Sequence, residues 1–192
     1  MSDTEGGDER ENESEIRGRV EQLWTSPEDG APMESHESVE AVEGGLRGDR
    51  YLLGTGYYSP YDVCEVTFVA WEALEEILDE TGIDLTDGRH RRNIVVRGVG
   101  GEELHDLLKT TFRVGDATFR GTRPRPPCAH VERVAGEEGV ARALKQKRGG
   151  ICANVVEAGT VSVGDELELI EADPRTVGQS IADRLKDAFG GD

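Results

Sequence analysis

Apolar residues recur along this chain mostly at the short, strand-like period. In residues 16–24, Ile16, Val20, Leu23 and Trp24 alternate irregularly with charged neighbours until Ser26 and Pro27 interrupt, which predicts a first strand. A turn rich in Gly and Pro leads to a second extended segment around residues 35–42, followed by a glycine-studded stretch over 44–56. Residues 63–70 are almost wholly apolar or β-branched and read as a buried strand. They run directly into residues 71–80, where Trp71, Leu74, Ile77 and Leu78 share one helical face and the acids take the other. Gly82 is placed to end that helix. Residues 93–97 are strand-like, 102–108 form a short segment, and 111–114 with 117–121 suit a hairpin turning at Gly115-Asp116. A helix is expected at 140–147. Strands at 150–157 and 166–171 flank Gly164-Asp165, a second Val-Gly-Asp turn whose surroundings do not otherwise match the first. Val177, Ile181, Leu185 and Phe189 predict a closing amphipathic helix over 176–189. Many short strands with few helices indicate a mainly β, α+β domain of barrel-like form.

Composition narrows the setting. At 192 residues the chain fits one domain, with an acidic, disordered leader at 1–15, the domain at 16–171, and a C-terminal helix and tail at 172–192. Forty acidic against 22 basic residues give a net charge of −18. Such a chain repels phosphates over most of its field, which disfavours a nucleic-acid surface. No apolar run is long enough for a membrane span, and the leader lacks an apolar core of the secretory kind, so the expected place is the cytoplasm. Only four of the basic residues are lysine and eighteen are arginine. Abundant acids with scarce lysine suit a salt-rich, haloarchaeal interior, where the Debye length shrinks to about 3 Å at 1 M.

Four clusters carry candidate chemistry. Gly48-Asp49-Arg50 reads by itself as a turn with a local ion pair. His90-Arg91-Arg92-Asn93 puts two guanidiniums before a strand, suited equally to offsetting surface acids or to gripping a phosphate through bidentate bonds. In the run 120–132, Arg120, Arg123 and Arg125 precede Cys128, which Pro126 and Pro127 hold stiffly, with His130 two residues on. Cationic neighbours favour a thiolate, so Cys128 stands above Cys64 and Cys152, which read as small buried hydrophobes. Cys128 and His130 could chelate a metal together, but no second Cys/His pair completes a zinc site. Lys147-Arg148-Gly149-Gly150 before a strand could let the backbone approach the same ligand. His36 and His105 read as packing or surface residues. Three widely spaced cysteines argue against a disulfide framework.

Taken in order, these segments resemble the MOSC domain, named for the C-terminal part of molybdenum cofactor sulfurase. The likeness is carried by Gly45-Leu-Arg-Gly-Asp-Arg-Tyr51, Gly54-Thr-Gly-Tyr-Tyr-Ser59, Arg91-Arg-Asn-Ile-Val-Val96, Phe112-Arg-Val-Gly-Asp116, Pro127-Cys128, Arg148-Gly-Gly-Ile151 and Val163-Gly-Asp165. The resemblance implies a β-barrel-like fold with a cleft carrying the cysteine. It implies binding of the molybdenum cofactor (molybdopterin, or its tungsten analogue), with Cys128 as catalytic residue and as metal ligand or sulfur carrier. Asp49, Arg50, Arg92 and Asn93, with Cys128, are the cofactor-binding residues the resemblance implies, and the arginine clusters add Arg91 and Arg123 as candidate anchors for its phosphate. The implied activities are reduction of N-hydroxylated compounds or sulfur transfer, the alternative being a non-catalytic carrier of cofactor or sulfur. Pro126 stands where small members often carry an acid, which bears on substrate preference. With no pyridoxal-phosphate-dependent desulfurase domain in the sequence, a sulfur donor or an electron-donor protein is expected in trans.

Overall fold

The computed structural model describes residues 16–57, 59–61 and 64–170. The expected leader and closing helix lie outside the described residues. The chain runs through β1 (Arg17–Thr25), β2 (Glu34–His36), β3 (Ser38–Val42), β4 (Gly45–Leu46), α1 (Arg50–Leu53), β5 (Val66–Ala70), α2 (Trp71–Thr81), β6 (Ile94–Arg97) and α3 (Gly101–Asp106). It continues through β7 (Thr111–Val114), β8 (Ala117–Pro124), α4 (Ala129–Ala135), α5 (Val140–Ala143), β9 (Ile151–Glu157), β10 (Gly159–Ser162) and β11 (Glu166–Leu169). The larger sheet has the order β11-β7-β8-β9-β5-β6-β1, and β1 pairs again with β11, from Arg17 opposite Glu168 to Arg19 opposite Glu166. Seven strands therefore close on themselves and leave no edge among them. β2 extends the sheet from β1, while β10, β3 and β4 form a separate small sheet.

One pairing in the barrel is parallel. β5 and β6 run in the same direction, Phe68 opposite Ile94, because α2 makes the crossover between them. That helix packs on the outside of the barrel, so β5 is buried on both faces. This is the physical reason for the continuous apolar run at 66–70. Inside, Phe68 meets Phe112 and Phe119 edge-on, each pair of ring centroids 5.3 Å apart. Outside, Val69 and Val95 are covered by Leu74 and Ile77 of α2 and by Val131, Val140 and Leu144 of the α4–α5 layer.

The two Val-Gly-Asp turns meet. A Cβ on Gly115 would lie 2.2 Å from Oδ2 of Asp165, the same oxygen that accepts the Ser162 N–H at 2.7 Å. Some expectations need correction. The segment 35–42 divides at Glu37 into β2 and β3, which serve different sheets. In α2 the buried positions are Ala73, Leu74 and Ile77, whereas Leu78 is exposed. The helix expected over 140–147 ends at Ala143, and Gln146 and Lys147 take positive φ. α1 and α4 arise in stretches that read as loops.

Candidate functional site

The residues entering β6 form the floor of a narrow cleft. Asn93 is fully enclosed and uses its whole amide within the protein. Its Oδ1 accepts from the backbone and hydroxyl of Thr67, at 3.1 and 2.7 Å. Its Nδ2 donates to the Trp24 carbonyl and to Oδ2 of Asp49, at 3.1 and 2.9 Å. Asp49 is as fully engaged, capping α1 through the Tyr51 N–H and accepting from the Ser26 N–H and Arg50. Neither side chain lines the cleft. They fasten β1, β5, β6 and α1 together and set the position of Arg50.

Arg50, Arg91, Arg92 and Arg125 do line it, and each is less than a tenth exposed. Arg50 pairs with Asp49 at 3.1 Å, donates to the Arg91 carbonyl at 3.0 Å and lies over the ring of Tyr51. Arg91 takes an unusual left-handed backbone, φ 63°, and its guanidinium reaches the Ala31 carbonyl. That conformation turns two consecutive guanidiniums towards one place, at an expense of about 1 kcal/mol or more in backbone strain. Arg92 is among the largest fully buried side chains of the protein. Its Nε donates to the Gly149 carbonyl at 2.8 Å and its Nη1 to the His90 carbonyl at 2.5 Å, while its buried Nη2 has no partner among the described residues. Arg125, just past β8, donates to the Tyr51 hydroxyl at 3.0 Å.

Among the described residues, the buried charges are these four arginines and Asp49. The imbalance shows in their acidity. Burial first, then the like charge of Arg50, lowers Arg91 to about 10. Burial and the like charge of Arg125 do the same to Arg92, also to about 10. His90, enclosed beneath them, is pushed down to about 3 by burial and by Arg92, Arg50 and Arg91. Its Nδ1 accepts the Arg92 N–H at 2.8 Å, so the neutral ring carries its proton on Nε2. Uncompensated buried cations cost several kcal/mol each, so an anion entering the cleft would offset that cost.

Cys128 lines the same cleft and is half-buried, immediately before α4. His130 stands on the first turn of that helix. Its Nε2 donates to Asp29 at 2.7 Å, its Nδ1 accepts from Arg133 at 2.7 Å, and Tyr57 stacks on its ring at 4.1 Å. Both ring nitrogens of His130 are thus engaged by partners other than Cys128. No group of three or more His, Cys, Asp or Glu suited to a metal occurs among the described residues. Arg123 is placed in the β8–β9 ladder opposite Cys152 and does not line the cleft. Its near neighbour Arg125 does. Tyr51 and Tyr57 stand within quoted motifs but were not singled out as site residues, and Asp29, which carries no motif, is found only through the fold.

Gly149 and Gly150 serve protein contacts. A Cβ at Gly150, whose φ is +81°, would fall 1.8 Å from the Phe68 carbonyl oxygen, and one at Gly149 would fall 2.4 Å from that of Arg125. The pair lets the start of β9 press against two neighbouring backbones. It also presents the Gly149 carbonyl to Arg92.

The sequence profile of the MOSC domain matches residues 61–168. The chain belongs to the MOSC domain family. Its structure is similar to YuaD protein from Bacillus subtilis, TM-score 0.68, at 19% identity over 81% of this chain and 96% of that one. It is also similar to YiiM from Escherichia coli, TM-score 0.61 at 19% identity, covering 82% of this chain and 71% of the other. YiiM from Geobacillus stearothermophilus follows at TM-score 0.56 and 15% identity, with 81% and 76% covered. At these identities the likeness is one of fold. Comparison with curated proteins finds no match. The profile spans Arg91, Arg92, Arg125, Cys128 and His130, so the MOSC segment supplies most of the cleft, and Asp29, Arg50, Tyr51 and Tyr57 come from the chain before it. No helix among the described residues is long and apolar enough to cross a membrane.

Proposed function

We propose that the cleft holds the molybdenum cofactor and that the loaded protein reduces N-hydroxylated compounds with electrons from a partner supplied in trans. The observation that carries the reading is the burial of four guanidiniums against one buried carboxylate in a chain of net charge −18. The residues fit such a group on two counts. A terminal phosphate suits the guanidinium forks, above all the unpartnered Nη2 of Arg92. A metal already held by the cofactor's own sulfurs needs few protein ligands, in keeping with one cysteine at the cleft and, among the described residues, no group of three or more His, Cys, Asp or Glu suited to a metal. Arg92, Arg125, Arg91 and Arg50 would hold the anionic end, and Cys128 would face the metal or carry its sulfur. When bound, the cofactor supplies two-electron redox chemistry. The protein's own part is to fix that group, exclude water with Tyr51 and Tyr57, and place His130 and Asp29 beside the opening.

The test is pterin and molybdenum content, together with turnover of a hydroxylamine substrate, in protein expressed where the cofactor is made. Arg92→Lys keeps the charge but loses the planar fork, so pterin retention should fall about tenfold or more, as expected for the loss of one charge-assisted bond. Cys128→Ser should abolish turnover with little change in melting temperature. Full pterin occupancy in both Arg92→Lys and Arg92→Ala would reject the cleft as the cofactor site. Normal occupancy without turnover would instead favour a carrier of cofactor or sulfur.

A further inference from the structure

The arginine cleft has a roof. Tyr57 stacks on the ring of His130 with centroids 4.1 Å apart, and His130 is fixed from both sides, donating to Asp29 and accepting from Arg133 at 2.7 Å each. Beneath this roof the cavity offers about 20 Å³ to a water-sized particle, where a single water needs about 10–15 Å³. A tetrahedral oxyanion such as phosphate or sulfate is too large for it. Lining the space is Arg92, 1% exposed, whose Nη2 has no partner among the described residues although its Nε and Nη1 are bonded. Arg50, Arg91 and Arg125 stand around it. The neighbouring acids are committed elsewhere. Asp49 lies behind Arg50 and is shared with Asn93. Asp29 bears on Arg91, but it is a third exposed at the rim and is bonded to His130. A water in this space would accept from Nη2 and leave the excess charge uncompensated. An anion of one atom answers both the donor and the charge.

We propose that the closed cleft is a binding site for one monatomic anion, a halide such as chloride, held by Arg92 Nη2 and the surrounding guanidiniums beneath Tyr57 and His130. The site selects by size. Chloride is little larger than water, whereas an oxyanion enters only when the roof parts. The halide therefore competes with any larger anion for the same arginines, including the phosphate of the cofactor proposed above. Its own binding does not rest on that reading. It also gives stability a part that is specific to the ion. A ligand that binds only the folded chain stabilises it according to its concentration relative to its dissociation constant, whereas screening follows ionic strength whatever the anion.

The experiment uses the full, cofactor-free wild-type chain at constant ionic strength, with potassium gluconate replaced stepwise by potassium chloride. The chlorine NMR line of the ion should broaden beyond a protein-free control, and the excess per chloride should fall along a saturation curve. Bromide should remove the excess, and sulfate should not. Crystals grown in bromide should carry an anomalous peak beside Arg92 Nη2, a reading independent of how any variant folds. Arg92→Gln should weaken chloride binding about tenfold or more, as expected for the loss of one charge-assisted bond. His130→Ala should let sulfate displace chloride. Broadening that does not saturate, bromide found only at exposed arginines (an adventitious ion only), or displacement from the wild type by sulfate as readily as by bromide would each overturn the proposal. The cofactor reading is judged separately, by pterin content.

Discussion

Asn93 shows how a residue next to the arginine cleft is spoken for by the fold. Its amide saturates four hydrogen-bonding positions and joins Thr67, Trp24 and Asp49 without exposure. Asn93→Ala should therefore cost about 3 kcal/mol of stability through the buried groups it leaves unpaired. Urea denaturation checks this; a loss below about 0.5 kcal/mol would show that the network relaxes. His90 gives the chain a pH dependence of definite sign. Its folded value is about 3 against an ordinary 6.5. Between those values the unfolded chain binds a proton that the folded chain refuses. Stability from this group is therefore complete above pH 6.5 and drains away as pH falls towards 3. In His90→Asn, whose Oδ1 can still accept the Arg92 N–H, the melting temperature should decline less steeply across that window than in the parent.

At the scale of elements, the β5–α2–β6 unit was the most legible part. Its continuous apolar strand, its helix with acids on one face and its β-branched return strand are all local patterns. α4 was hidden because it follows a run with three prolines and starts at Ala129, just after Cys128, in a stretch whose composition signals a loop. The choice between Arg123 and Arg125 was hidden for a different reason. A register shift between Gly121 and Arg123 interrupts the alternation of β8, so only pairing with β9 decides which guanidinium passes beyond the ladder into the cleft. The glycine pair before β9 stood out in sequence, but its use did not. Because a Cβ at Gly150 would collide with backbone that cannot yield, Gly150→Ala should destabilise by about 3 kcal/mol or more. Thermal unfolding of that variant beside Gly48→Ala separates collision from backbone strain, since nothing lies within 4 Å of a Cβ at Gly48 although its φ is likewise positive.

For the whole molecule, the governing fact is a strongly acidic chain that concentrates its buried positive charge at one end of a closed barrel. Self-repulsion among the acids should be screened by salt. The melting temperature should accordingly rise from tens of millimolar to molar potassium chloride, and a flat or falling curve would remove the adaptation to salt inferred from composition. The strands, their turns and the family could be read from the sequence, because hydrophobic period, turn chemistry and ordered motifs are properties of neighbours along the chain. The acidic field was equally plain, being a sum over residues whatever their positions. Only the tertiary structure decided that Arg50 joins Arg91, Arg92 and Arg125, and that Asn93 and Asp49 support them from behind. Burial, local potential and contact are set by residues brought together through strand pairing and barrel closure, and none of these leaves a mark on the segments taken one at a time.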